Sequence, residues 1–138
     1  MGRSRGPGVA RGAVLPGSET ELVSAVREAI NLQPGARVRR NNSGRLKDIK
    51  GRWVQFGQGV GSPDLMGAVT CHVQWDAFRT VTIARCFHLE CKLPGEKPST
   101  DQLAWHAEAR KRGEFVAIVH SVGEALDALE RCKLGGAE

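Results

Sequence analysis

Three polar side chains that could take part in chemistry alternate along one short stretch of the chain, at His88, Glu90 and Lys92. In an extended strand alternate side chains emerge on the same face, so these three would lie together. Leu89 and Cys91 would then form an apolar row on the other face. We expect this strand to bury its apolar face and leave the polar face open. A solvated ion pair would have the same pattern, so the residues upstream decide between the two interpretations.

A second carboxylate is supplied by the turn Gly61-Ser62-Pro63-Asp64, which precedes an apolar run. Alone this is an ordinary turn. With Glu90 and Lys92 on the next long strand, it would bring two carboxylates and a lysine together on neighbouring strands. Paired carboxylates repel and need a cation, and oxygen ligands of this kind suit Mg²⁺ or Mn²⁺. An ion held there can activate water and stabilise charge on a phosphoryl group.

The pattern Pro63-Asp64 followed by Glu90-Cys91-Lys92 resembles the PD-(D/E)XK nuclease motif, and its flanks resemble the VRR-NUC family of that superfamily. The family-like segments, in chain order, are residues 61 to 67, residues 89 to 95, and Ser99, Gln102 and Trp105. The resemblance covers most of residues 18 to 133. The interval between Asp64 and Glu90 is long for the family, and we expect an enlarged hairpin around residues 74 to 79 to absorb it.

This resemblance implies a restriction-endonuclease-like core and a metal-dependent nuclease acting on DNA. It implies that Asp64 and Glu90 ligate Mg²⁺ or Mn²⁺ together with the main-chain carbonyl of Cys91, and that Lys92 positions or deprotonates the attacking water. Small stand-alone, phage-type members resemble junction resolvases, which act as homodimers on branched DNA such as four-way junctions. The alternatives are a catalytically inactive nucleic-acid-binding module with the same fold and an unrelated basic interaction protein.

Two further residues have a structural and a catalytic interpretation. Members of the family carry a glutamate in the first helix near the metal, and Glu21 is matched to it, with Glu19 as the rival. Glu21 also completes a capping box with Ser18, which needs no metal. The resemblance likewise places Gln102 beside the catalytic lysine, although it also completes a capping box with Ser99. Both alternatives stay open for both residues.

Composition places the chain among single globular domains. It has 138 residues, 41% hydrophobic and 25% charged. No apolar run approaches the length of a membrane span, and the chain begins without a secretory leader, so we expect a cytoplasmic protein with no membrane partner. The glycines at 57, 59 and 61 form a loop where the backbone could approach a ligand closely. No helix follows them, so no nucleotide cofactor is predicted.

The cysteines show no metal-binding or redox spacing. They are Cys71, Cys86, Cys91 and Cys132. Three of them fall in predicted strands with apolar neighbours, and we expect buried, reduced thiols. A zinc site that uses His72 or His88 is the alternative.

Positive charge is concentrated in the first half of the chain. Residues 1 to 60 hold eleven Lys and Arg against four Asp and Glu, whereas the remainder holds nine against eleven. This asymmetry predicts a surface that faces a polyanion beside a carboxylate site. A solvated charged face is the alternative to a DNA-backbone patch. The candidate DNA-binding residues are Arg37, Arg39, Arg40, Asn42, Ser43, Arg45, Lys47, Lys50 and Arg52.

Periodicity and turn signals predict an α/β domain with a mixed sheet flanked by helices, in the order α-β-β-β-β-α-β-α. The apolar strand at 115 to 119 lies between two predicted helices, which favours a parallel crossover. The predicted helices cover residues 19 to 32, 100 to 112 and 122 to 133. The predicted domain organisation is a flexible basic arm at 1 to 17, a nuclease-like domain at 18 to 134 and a tail at 135 to 138.

Overall fold

A computed structural model describes residues 17–135, which form three helices and six strands. The helices are α1 (Glu19–Asn31), α2 (Thr100–Lys111) and α3 (Val122–Lys133). The strands are β1 (Ala36–Arg40), β2 (Gly44–Lys47), β3 (Trp53–Phe56), β4 (Leu65–Gln74), β5 (Thr80–Cys91) and β6 (Phe115–Val119). The predicted arm and tail lie outside the described residues, apart from Gly17 and Gly135.

The central sheet is mixed, as predicted. Its strand order is β1-β4-β5-β6, with β5 and β6 parallel and the other two pairs antiparallel. The predicted element order is wrong by one strand, because it omits β2. This strand pairs with β3 in a separate two-stranded ribbon. Strand β2 has the sequence Gly-Arg-Leu-Lys, whose single apolar residue is too weak a pattern to predict a strand.

A long hairpin lies between the two halves of the motif, with its turn where the sequence predicts it. Strands β4 and β5 pair continuously from Leu65 opposite Leu89 to Gln74 opposite Thr80. The loop is closed by the Trp75 amide, which donates to the Arg79 carbonyl at 2.8 Å. This long hairpin brings the start of β4 beside the end of β5, because antiparallel pairing returns the chain to its starting point.

Helices cover both faces of the sheet. Helices α1 and α3 pack on one face, where Leu22, Val26 and Leu129 are buried against the apolar sides of the strands. Phe87 and Phe115 stack there with ring centroids 5.4 Å apart. Helix α2 forms the crossover between β5 and β6, and it packs on the opposite face.

Because α2 lies on that face, the expectation of an open polar face on β5 is wrong at the strand's end. His88 and Glu90 are only 3% and 1% exposed, and His106 of α2 is fully buried. The chemical groups of β5 therefore lie under a helix. Burial in this position makes the charges of these groups more sensitive to their neighbours than they would be in water.

The expectation for the cysteines is correct for three residues and wrong for Cys86. All four thiols are free, and Cys71, Cys91 and Cys132 are buried, whereas Cys86 is exposed. Cys86 belongs to the polar face of β5 together with His88, because the two are separated by one residue. Its apolar sequence neighbour, Phe87, belongs to the other face.

Candidate metal and nucleic-acid site

Three carboxylates meet where β4 begins and β5 ends. Oxygens of Glu19, Asp64 and Glu90 all lie within 4.8 Å of one another. The ammonium of Lys92 is 3.7 Å from Glu19 Oε1 and 3.8 Å from Glu90 Oε1. The structure thus brings together the predicted residues Asp64, Glu90 and Lys92, and it adds a third acid. We call these four residues the acidic cluster.

The position of Asp64 is set by a turn that Asn41 holds. The Asn41 side chain donates to Ser62 Oγ at 2.8 Å and to the Pro63 carbonyl at 2.9 Å. The backbone amide of Asn41 donates to the Asp64 carbonyl at 2.8 Å. The Cys91 amide in turn donates to Asp64 Oδ2 at 2.8 Å. Sequence reasoning missed Asn41, since an asparagine in a polar turn has too many ordinary roles to single it out.

Cys91 contributes its backbone to the site and not its thiol. In a strand the amide and carbonyl of one residue point to the same edge, so the Cys91 carbonyl is directed to the side where its amide meets Asp64. The thiol is buried on the opposite face. Burial raises the pKa of the Cys91 thiol, which stays protonated and unsuited to nucleophilic attack.

Gln102 caps α2 and also contacts a carboxylate of the acidic cluster. Its Oε1 accepts from the Ser99 amide at 2.8 Å, while its own amide donates to Ser99 Oγ at 3.1 Å, which completes the capping box. Its Nε2 donates to Glu90 Oε1 at 2.8 Å. The first turn of α2 is thereby tied to the acidic cluster, and the carboxylate of Glu90 is held in one orientation.

Of the two glutamates proposed in the first helix, the structure places Glu19 in the acidic cluster and Glu21 outside it. Glu21 is exposed, and its Oε2 accepts from the Gly17 amide at 2.9 Å. Residues two apart on a helix point about 200° away from each other, so only one of the two can face the site. The family resemblance had been matched to Glu21, whereas the structure places its rival, Glu19, beside Asp64 and Glu90.

His106 is a further residue of this region that sequence reasoning did not assign to the site. Its Nε2 lies 3.9 Å from Glu90 Oε2. The signal was present in the sequence, because residues 102 and 106 are one helical turn apart and share a face of α2. His106 therefore helps to cover Glu90 from the helix side.

Burial and mutual repulsion raise the pKa values of the three carboxyl groups in the acidic cluster. Burial, reinforced by the charge of Glu90, raises the pKa of Asp64 to about 6. Burial raises the pKa of Glu90 to about 7, with the charge of Glu19 adding to the effect and Lys92 opposing it. The pKa of Glu19 is also raised, chiefly by burial. One lysine does not offset three neighbouring carboxylates, so a further cation would be bound favourably.

The donors of the acidic cluster fit a hard divalent ion. Glu90 Oε2 is buried and has no hydrogen-bond partner among the residues that the structure describes. Such an oxygen needs a partner, and a cation would satisfy it. The carboxylates and the Cys91 carbonyl form an oxygen-only donor set, which Mg²⁺ and Mn²⁺ prefer.

The two glutamates of α1 provide a matched test of this geometry. We expect Glu19→Gln to weaken Mn²⁺ binding by at least about 10-fold, because it removes a charge from the site. Glu21→Gln changes the same residue type in the same helical turn and should leave Mn²⁺ affinity unchanged. Isothermal titration of both variants makes the comparison. Equal affinities would contradict the placement of Glu19 at the metal.

The raised pKa values predict how the stability of the metal-free protein depends on pH. A carboxyl group whose pKa is higher in the folded than in the unfolded state contributes stability below its unfolded value, and this is lost as the pH rises through the folded value. For Asp64 and Glu90 the window runs from about 4 to about 7. Thermal unfolding should show that Asp64→Asn and Glu90→Gln lose less stability across this window than the wild type.

In the same measurements Asp101→Asn, an exposed acid outside the acidic cluster, should keep the wild-type profile. Mg²⁺ should raise the unfolding temperature of the wild type at pH 8 and leave the Asp64 variant unchanged. Parallel pH profiles for the wild type and both site variants would contradict raised pKa values for Asp64 and Glu90.

A cleft of about 330 Å³ leads to Asp64 from the ribbon side. Its walls include Arg45 and Gln55 of the ribbon and Gln102 of α2. The glycine loop forms part of the rim, but Gly57 and Gly61 do not make room for a ligand as expected. A Cβ at Gly61 would lie 2.3 Å from the Asp101 carbonyl oxygen, so this glycine allows close contact with α2.

The predicted DNA-binding cations form two exposed groups. Arg37, Arg39 and Arg40 lie on β1, the edge strand of the central sheet. The remaining four belong to the ribbon and its connecting turn, and they are Arg45, Lys47, Lys50 and Arg52. All seven are exposed and available to a polyanion, although Arg52 pairs with Asp48 at 2.7 Å.

The polar residues of the same run have different environments. Asn42 is exposed, whereas the Ser43 hydroxyl lies 3.0 Å from Ser62 Oγ and accepts from the Gln58 amide at 3.1 Å. The structure therefore uses Ser43 to hold the glycine loop. Trp53 was missed as a candidate: it is exposed on the ribbon, with Arg45 and Lys47 at 5.2 and 5.1 Å from its ring centroid.

The fold and the acidic cluster together define a mixed α/β protein with a largely buried carboxylate–lysine centre, to which a cleft lined by Arg45 and Asp101 leads. Comparison with protein-family models, with curated proteins and with solved structures found no match to this chain. Among residues 17–135, no helix has the length and apolar character needed to cross a membrane.

Proposed function

We propose that this chain is a metal-dependent nuclease of the VRR-NUC type, with a restriction-endonuclease-like core, which hydrolyses phosphodiester bonds in DNA. The observation that carries the proposal is the acidic cluster: three carboxylates within 4.8 Å of one another and a lysine within 4 Å of two of them. This composition matches the chemistry of phosphoryl transfer, which needs both a cation site and a positioned proton carrier.

Each residue of the acidic cluster has a separate task. Glu19, Asp64, Glu90 and the Cys91 carbonyl would hold Mg²⁺ or Mn²⁺. A bound ion of this type polarises the scissile phosphate and lowers the pKa of a coordinated water. The Lys92 ammonium orients the attacking water and stabilises charge that develops on the phosphate. The hydrogen bond from Gln102 keeps the Glu90 carboxylate in position while substrate binds.

DNA would reach the acidic cluster along the cleft that leads to Asp64. Arg45 lines the cleft, so phosphates beside the scissile bond would meet positive charge there. The exposed arginines of β1 would contact phosphates elsewhere along the DNA backbone. Trp53 offers a flat face on the ribbon for an unpaired base or a sugar. These contacts position the backbone without reading base identity.

The substrate class that we propose is branched DNA, including four-way junctions, cut by a homodimer in the cytoplasm of a bacterial host. Residues 17–135 hold one acidic cluster, whereas symmetrical cutting of a junction needs two. Twofold association would supply the second cluster. Light scattering gives the oligomeric state, and a monomer that cuts junctions symmetrically would contradict the dimer.

The experiment that tests the proposed function is a cleavage assay on single-stranded, duplex, flap and four-way DNA. We expect cleavage in Mg²⁺ or Mn²⁺, and none in EDTA or in buffer without added metal. Branched DNA should be cut fastest. Tight binding without cleavage of any substrate in either metal would show a catalytically inactive binding module. Absence of both binding and cleavage would contradict both functions.

Salt dependence tests the role of the basic residues. A plot of the logarithm of the duplex-binding constant against the logarithm of the salt concentration has a negative slope. If Arg39 and Arg40 contact phosphates, this slope should become shallower by about 0.9 for each arginine replaced by glutamine. Arg27→Gln removes the same charge from the exposed side of α1 and serves as the control. Slopes identical to the wild type in the β1 variants would remove these arginines from the DNA path.

A further inference from the structure

A second group of side chains that could ligate a metal lies on the same face of β5, nearer the start of the strand than Glu90. One ligand atom each from Cys86, His88 and Glu114 lies within 4.8 Å of the other two. The parallel register explains their meeting: Phe87 is opposite Phe115, so Glu114, just before β6, is adjacent to Cys86. Cys86 and His88 share a face because one residue separates them.

We propose that Cys86, His88 and Glu114 form a Zn²⁺ site with one coordination position open to solvent. A thiolate, an imidazole and a carboxylate are the three zinc ligands found in proteins, and this mixture favours Zn²⁺ over Mg²⁺. The set is three-coordinate in protein ligands, which is the composition of zinc sites that keep a water or substrate position. Exposure of Cys86 gives the ion an entry path.

The surroundings of the three ligands resemble a prepared site. His88 Nε2 lies 2.9 Å from Glu114 Oε1, a separation that needs little change for both atoms to contact one ion. Glu114 Oε2 is held by Arg112 at 2.5 Å, which leaves Oε1 directed at the histidine. Trp105 packs edge-on against the His88 ring at 5.3 Å and fixes its plane. Outer partners of this kind orient ligands in known metal sites.

The neighbouring histidine–carboxylate pair would be stable without metal, so the thiol provides the decisive observation. Titration of the full chain with Co²⁺ in a non-thiol reductant should give a saturable sulfur-to-cobalt charge-transfer band. Cys86→Ser should abolish the band, and because Cys86 is exposed this variant should fold normally. Glu114→Gln should weaken Co²⁺ binding by about 10-fold or more.

Controls separate this site from the acidic cluster. Asp64→Asn should retain the charge-transfer band, Glu108→Gln should match the wild type, and Cys86→Ser should retain Mg²⁺-dependent DNA cleavage. Zn²⁺ should protect one accessible thiol of the native wild type from a thiol reagent. A wild type without the band, a band that survives in Cys86→Ser, or a thiol that Zn²⁺ does not protect would each overturn the zinc site and leave the proposed nuclease untouched.

Discussion

Replacing Glu90 by glutamine or Asp64 by asparagine will lower the rate of DNA cleavage by more than about 100-fold. Loss of an outer partner of a metal ligand typically costs about 10–100-fold, so loss of a charged ligand should cost more. Both substitutions preserve shape and the hydrogen bonds from Gln102 and the Cys91 amide. DNA binding should persist or tighten, because a carboxylate near a phosphate repels it when no cation intervenes.

The measurement is single-turnover cleavage at saturating DNA, combined with equilibrium DNA binding in EDTA. Asp101→Asn is the matched control, since this acid lines the same cleft without belonging to the acidic cluster. We expect it to cleave at the wild-type rate. Full cleavage by either Glu90→Gln or Asp64→Asn would place the catalytic centre elsewhere.

Lys92→Met will lower the cleavage rate by about 100–1,000-fold, the cost of removing one group that stabilises developing charge. The Lys92 side chain is 13% exposed, and its ammonium lies within 4 Å of Glu19 and Glu90. Methionine keeps an unbranched side chain and removes only the charge. Mn²⁺ affinity should persist or rise, because a competing cation has been removed. DNA affinity should fall only slightly.

The separation of these effects distinguishes the lysine from the metal ligands. Cleavage rates, Mn²⁺ titration and DNA binding are measured on the same preparation, with Lys97→Met as an exposed lysine control. A Lys92 variant that loses Mn²⁺ binding along with activity would show that the residue maintains the site and has no separate part in turnover.

Alternation along β5 was sufficient to predict that Glu90 and Lys92 would lie together, because period-two geometry is local to the strand. The meeting with Asp64 was also predictable, since two long strands joined by a short turn must pair in an antiparallel hairpin. The cover supplied by α2 was not, because a crossover helix can be placed on a face only when the sheet order is known.

The choice between Glu19 and Glu21 shows why the remainder of the site could not be predicted. Both are acids in the first helical turn, and only the orientation of α1 against the sheet selects one of them. The hold of Asn41 on the turn before Asp64 is similar, since its partners lie 21 and 22 residues away in the chain. Long-range contacts of this kind leave no periodic signal.

The most direct test of the acidic cluster is equilibrium binding of Mn²⁺ at pH 8. This pH lies above the pKa of Asp64, about 6, and that of Glu90, about 7, so both carboxyl groups are mostly ionised. We predict that the wild type binds Mn²⁺ in the absence of DNA and that Asp64→Asn and Glu90→Gln bind it more than about 10-fold more weakly. Wild-type affinity in both variants would contradict a metal centre at these carboxylates.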